Sequence, residues 1–154
     1  MGAVKDIQLA VNTLNLMYDL LVMAGDNVLD FSLSTFVNFA KEKGTSCVMC
    51  HKENELKKQQ KTAIITVDES NLIASYEEKP LEPKGNLDVP PFYCYRSADV
   101  KCIRETHDNG CGYDAPDSFV AWLSKKTPMY AYKMPGKRYD IGDIKRYEDV
   151  KSVF

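Results

Sequence analysis

The run Leu20-Leu21-Val22-Met23-Ala24-Gly25, closed by Asp26 and Asn27, constrains this chain more than any other stretch. An unbroken apolar run bounded by Asp19 and Asp26 reads as a strand buried on both faces, which is the signature of an α/β sheet. In open α/β sheets ligands bind beyond the carboxyl ends of the strands. A carboxylate at that end is placed to hold a metal. Aspartate also caps turns after strands, and this stretch alone leaves both readings open.

The surrounding pattern supplies the layers. Val4, Ile7, Val11 and Leu14 recur at helical spacing, so an amphipathic helix precedes the strand and begins almost at Met1 without an upstream cap. Ser32 as N-cap, the face Leu33, Phe36, Val37 and Ala40, and Gly44 as a stop predict a second helix. A strand over 45–50 follows, and the order strand, helix, strand implies a right-handed parallel βαβ unit. Residues 53–60 read as a short polar helix. Residues 63–67 and 72–76 form a hairpin about Asp68-Glu69-Ser70-Asn71. Pro80, Pro83 and Gly85 mark an exposed connection, and Pro90-Pro91 opens an aromatic strand over 92–95. Helices over 97–106 and from Asp114 through Leu123, a strand over 129–132, a turn-rich loop over 136–143 and a helix from Asp143 towards Val153 complete a single domain.

Composition narrows the function. A net charge of −2 over 154 residues gives no electrostatic case for a nucleic-acid or membrane-surface binder. No segment is long enough to span a membrane and no signal peptide is present, so the cytoplasm is the expected location. The basic stretch Lys57-Lys58-Gln59-Gln60-Lys61 reads as a solvated helix end. Five cysteines at irregular spacing argue against a disulfide framework. Cys47 and Cys50 lie on a strand, where residues at that spacing point to opposite faces, so they read as small buried hydrophobes rather than a metal pair. His51 and His107 read as surface residues.

Three polar groups exceed what the fold needs: Gly25-Asp26-Asn27, Glu77-Glu78-Lys79-Pro80 at a strand end, and Tyr139-Asp140-Ile141-Gly142-Asp143. Asp26 and Asp140 could converge on one divalent cation, since magnesium takes one or two carboxylates together with waters and phosphates. The bland alternatives are a solvated charge run at 77–79 and helix capping by Asp143. Asp140 lies too far upstream to cap that helix.

These motifs, with Val89-Pro90-Pro91-Phe92-Tyr93, resemble in order those of the sugar-1-phosphate nucleotidyltransferase family, most closely the glucose-1-phosphate thymidylyltransferases. The resemblance covers nearly the whole chain from Gly2. It implies a Rossmann-like three-layer α/β/α sandwich with a mixed sheet, and magnesium-dependent transfer of a nucleotidyl group from a nucleoside triphosphate, dTTP by this resemblance, to a sugar 1-phosphate. It further implies that Asp26 and Asp140 hold the metal, that Glu78 accepts hydrogen bonds from sugar hydroxyls, and that Lys79 neutralises the sugar phosphate. Gly2, Ala63, Val89 and Tyr93 match positions near the base and sugar, although Val89 and Tyr93 read equally well as core residues. Ala63 stands where the family has glycine.

The family's glycine-rich triphosphate loop, of the form G-x-G-T-R, has no counterpart here. By resemblance the chain is the C-terminal part of the domain, with its first strands missing. The strand before Asp26 then lacks a neighbour, and completion by another chain or a second copy is expected. A non-catalytic sugar-nucleotide-binding subunit, or an inactive gene fragment, is the alternative.

Overall fold

A computed structural model describes residues 2–105 and 116–152. Strand β3 (Cys47–Lys52) is the hub of the sheet. It pairs in parallel with β8 (Tyr130–Lys133), and antiparallel with β7 (Phe92–Tyr95) and β6 (Leu87–Asp88). Beyond β7 lies β1 (Leu20–Met23); beyond β6 lie β4 (Ala63–Val67) and β5 (Ile73–Glu78). The result is a mixed sheet. Alternation along β3 builds a core on each face. Val48 and Cys50 join Tyr93, Tyr95, Phe119 and Ile103 under α1 (Ala3–Thr13), α4 (Ser97–Glu105) and α5 (Pro116–Leu123). Cys47 and Met49 join Phe92, Phe36 and Ala40 under α2 (Ser34–Lys43). This is the three-layer α/β/α sandwich expected.

The C-x-x-C reading holds in detail. Cys47 and Cys50 sit in opposite cores as free thiols, and burial pushes both up to about 11. The hairpin is also where it was expected. Its loop is tied by Asp68 Oδ1, which accepts from the amides of Ser70 and Leu72 at 2.8 and 2.9 Å, and Asn71 takes φ +66°. Asparagine tolerates that left-handed conformation better than most residues. Gly44 ends α2 at φ +68°, as its position implied.

Several expectations need correction. β1 and β3 are parallel, but β7 is inserted between them, so they are not paired neighbours. β1 is half-buried on one face and exposed on the other: Leu21 is 41% and Met23 45% exposed. Among the described residues β1 pairs with β7 alone and forms an edge of the sheet. The N-cap position of α2 is Leu33, with Ser32 Oγ accepting from the Ser34 amide at 3.2 Å. The polar helix shrinks to α3 (Leu56–Gln59), because Glu53 spends its backbone amide on Asn86 O. Residues 136–143 are not all loop; they contain β9 (Arg138–Asp140), paired with β2 (Asn27–Leu29). The final helix, α6 (Ile144–Lys151), begins at Asp143 as expected. Thr106, His107, Cys111, Asp114 and Val153 lie outside the described residues.

Gly85 separates the two kinds of glycine in this fold. A Cβ there would lie 2.5 Å from the Ile65 carbonyl oxygen, a backbone atom that cannot swing aside, whereas a Cβ on Gly25 meets nothing within 4 Å. Gly85→Ala is expected to cost about 1–3 kcal/mol in urea unfolding through overpacking, and Gly25→Ala to stay within about 0.5 kcal/mol of wild type.

Candidate active site

Two short strands bring the distant acidic motifs together. β2 and β9 run antiparallel with Asn27 opposite Asp140 and Leu29 opposite Arg138. The Ile141 amide donates to Asp26 O at 2.8 Å, extending the ladder by one residue past the strand ends. Side chains reinforce it. Arg138 donates to Asn27 Oδ1 at 2.8 Å, and the Lys137 amide donates to Asp30 Oδ1 at 2.7 Å.

The two carboxylates consequently flank Gly142. A Cβ built on Gly142 would stand 3.1 Å from Asp140 Oδ1 and 3.5 Å from Asp26 Oδ2, so both oxygens border the space over Gly142. Both carboxylates are also engaged locally, and Asp140 Oδ1 itself accepts from the Gly142 amide at 2.9 Å. Asn27 Nδ2 donates to Asp26 Oδ1 at 2.7 Å, and Arg146 Nη1 donates to Asp140 Oδ2 at 2.5 Å. Asp143 is the helix cap, accepting from the Arg146 amide at 2.9 Å. Asp140 does not cap. Among the described residues no group of three or more His, Cys, Asp or Glu side chains could hold a metal. The donor set is a carboxylate pair, which suits a hard cation that completes its shell with water and phosphate oxygens.

The third motif sits at the end of β5. Glu78 lies opposite Ala63, and the Lys79 amide donates to Thr62 O at 2.9 Å. Lys79 holds φ +43° immediately before Pro80. Burial and the nearby Asp117 carboxylate push the Glu78 carboxyl up, against an opposing hydrogen bond from Ser118. Ala63, Val89 and Tyr93 are buried core residues; Val89 donates its amide to Ala63 O at 3.0 Å, and Tyr93 stacks on Tyr95. Gly2 starts α1, its carbonyl accepting from the amides of Lys5 and Asp6.

A cleft of about 630 Å³ opens beside Asp140 and extends to Thr62, the residue that ties the Lys79 backbone. Asp140, Arg138 and Arg146 form one wall; Thr62, His51 and Asp88 belong to the rest. Lys57, Lys58 and Lys61 of the basic stretch edge it rather than merely meeting solvent. His51 is half-buried, with Nε2 3.5 Å from Asp88 Oδ2, and so is not the surface residue expected. Arg138, Arg146 and Asp88 escaped the sequence reading. The one available signal was the Asp143 to Arg146 spacing, which pairs side chains on a helical turn.

The profile of the family described as Nucleotidyl transferase matches residues 1–153. The chain belongs to the nucleotidyl transferase family. Among curated relatives of this nucleotidyl transferase chain, the glucose-1-phosphate adenylyltransferase of Clostridioides difficile is 30% identical over 146 residues, covering 90% of this chain and 37% of the relative. That of Fervidobacterium nodosum is 26% identical, covering 83% of this chain and 31% of the relative. The chain thus spans about a third of the length of these relatives. A UDP-glucose pyrophosphorylase structure complexed with UDP-glucose superposes with TM-score 0.80 at 21% identity, over 99% of this chain and 61% of that one. A putative glucose-1-phosphate thymidylyltransferase from Bacillus anthracis superposes with TM-score 0.79 at 20% identity, over 99% of this chain and 60% of that one. These two likenesses establish the nucleotide-diphospho-sugar transferase fold. The curated relatives are adenylyltransferases by name, and the thymidylyltransferase likeness is one of fold.

Asp117, beside Glu78, offers a pH test. Its Oδ1 is buried without a hydrogen-bond partner, and burial raises its carboxyl above the ordinary 3.8. The folded state therefore holds this proton to higher pH than the unfolded chain. The associated stability is full below 3.8 and is lost as pH rises through the higher folded-state value. Asp117→Asn is expected to flatten that decline in urea titrations across the acid range, and to add about 1 kcal/mol at pH 7.

Proposed function

We propose that this chain carries the sugar-phosphate and metal half of a site that joins a nucleoside triphosphate to a sugar 1-phosphate, forming a nucleotide sugar and releasing pyrophosphate. The observation that carries the reading is the convergence of Asp26 Oδ2 and Asp140 Oδ1 on the space over Gly142. Asp26 and Asp140 would hold a magnesium ion, which would supply charge neutralisation for the phosphates. The chain's own residues do the rest by positioning. Lys79 offers the sugar phosphate a point charge, aimed by a turn whose backbone is tied to Thr62. Glu78 accepts from sugar hydroxyls. Arg146, with its guanidinium on Asp140 Oδ2, and the Gly142 amide, donating to Oδ1, keep the carboxylate oriented.

In this reading the triphosphate's cradle lies outside these residues, supplied by further polypeptide or by a complementing chain at the exposed edge of β1. Glucose 1-phosphate is the sugar that the relatives' names support. ATP is the triphosphate favoured by those names, and dTTP the one favoured by the motif resemblance and a fold neighbour.

The test is magnesium-dependent pyrophosphate release from glucose 1-phosphate with ATP or dTTP by the chain joined to a segment that carries the triphosphate loop, together with Mn²⁺ binding to the chain followed by electron paramagnetic resonance. Asp26→Asn and Asp140→Asn are each expected to lower the rate by about 100-fold or more. Gly142→Ala, which fills the space between the carboxylates, should weaken Mn²⁺ binding while the fold is kept. Release that persists unchanged in chelator or in Asp140→Asn, or Mn²⁺ binding indifferent to both aspartates, would sink the reading.

A further inference from the structure

Asp88 is the least satisfied polar residue bordering the cleft. It sits on β6 between β3 and β4, opposite His51 on one side and the fully buried Ile64 on the other. Only 4% of its surface is exposed. Oδ2 lies 3.5 Å from His51 Nε2, while Oδ1 is buried and has no hydrogen-bond partner. His51 Nδ1, in the same position on the neighbouring strand, also has none. A buried carboxylate oxygen left without a donor is costly, and the fold obtains nothing from it that an apolar or amide side chain would not supply. Asp88 borders the same cleft as Asp140 and Arg146, and the cleft reaches Thr62, whose carbonyl anchors the Lys79 turn. An ionised carboxylate only accepts, so what completes it must bring an O–H or N–H donor.

We propose that Asp88 is a substrate-binding residue that accepts a hydrogen bond from a hydroxyl or ammonium group on the phosphorylated substrate, and that it sets selectivity for the group placed there. This rests on the sugar-phosphate reading given above. His51 is a positioning residue in this arrangement, since it holds Oδ2 and leaves Oδ1 for the ligand. Phosphate is recognised elsewhere in the site, so Asp88 discriminates by the donor and not by the anion.

The test is calorimetric titration of the wild-type chain, Asp88→Asn and Asp88→Ala with glucose 1-phosphate, glucosamine 1-phosphate and inorganic phosphate, with melting temperatures measured in parallel. The wild type is expected to bind a sugar phosphate more tightly than inorganic phosphate. Asp88→Ala should lose about tenfold in affinity for that sugar phosphate, the scale of one hydrogen bond to a charged group, with inorganic phosphate unaffected and the melting temperature held or raised. A wild-type preference for glucosamine 1-phosphate that vanishes in Asp88→Asn identifies the donor as the ammonium group; equal losses for both sugars identify a hydroxyl. Unchanged sugar-phosphate affinity in Asp88→Ala overturns this inference alone and means that a trapped water satisfies Oδ1. A fall in melting temperature in both variants, in step with affinity, also overturns it by assigning Asp88 to the fold. Failure of the wild type to bind either sugar phosphate overturns this inference and the reading beneath it.

Discussion

The pairing of β2 with β9 is the contact on which the site depends. Neither strand belongs to the main sheet, and each is only three residues long. An isolated two-stranded ribbon is marginal in water, so side chains must hold it. Asn27, Asp30 and Arg138 do so by closing hydrogen bonds across the ladder. Gly136 belongs to the same device, since a Cβ there would stand within 2.8 Å of the Phe31 ring. The carboxylates of Asp26 and Asp140 are therefore brought together by local polar chemistry at the sheet's margin, while the hydrophobic cores hold the sheet that carries it.

Charge is balanced around this ribbon in a way that a carboxylate pair alone would not be. Arg146 reaches both Asp140 and Asp143 from the first turn of α6, a helix with no buried residues. The helix adds little to the core and serves mainly to place a guanidinium. Lys57, Lys58 and Lys61 border the cleft together with Glu53 and Glu55, and Lys58 is paired with Glu55. The cleft thus carries charges of both signs, with Arg138 and Arg146 the cations beside Asp140.

The layers were legible in the sequence because they follow from local pattern. The helical spacing of Val4 and Val11, the stop at Gly44 and the Asp68 hairpin each depend on neighbours close in the chain. The cysteine reading held because alternation along a strand is a fixed geometric rule. What could not be read was pairing. β7 enters between β1 and β3 from far along the chain, and no property of residues 20–50 announces it. β2 and β9 were invisible as strands because Asn27 and Asp140 are poor strand formers. Asp26, Asp140, Glu78 and Lys79 were singled out through resemblance to a family, and in the structure an oxygen of each aspartate borders the space over Gly142. Asp88 and His51 carry no motif. Their interest lies in burial and unmet hydrogen bonding, which exist only once the strands have been assembled.

Lys79 shows how such a site shapes what the chain can become. A left-handed φ disfavours a long side chain, and a following proline narrows the choices further. On backbone grounds glycine or asparagine would sit more comfortably there. Selection for stability alone would thus erode the lysine, and a variant freed from its task would be expected to lose this residue before the buried ones around it. Position 79 is a place where the role proposed for the lysine and the chain's ease as a folded polymer pull in opposite directions.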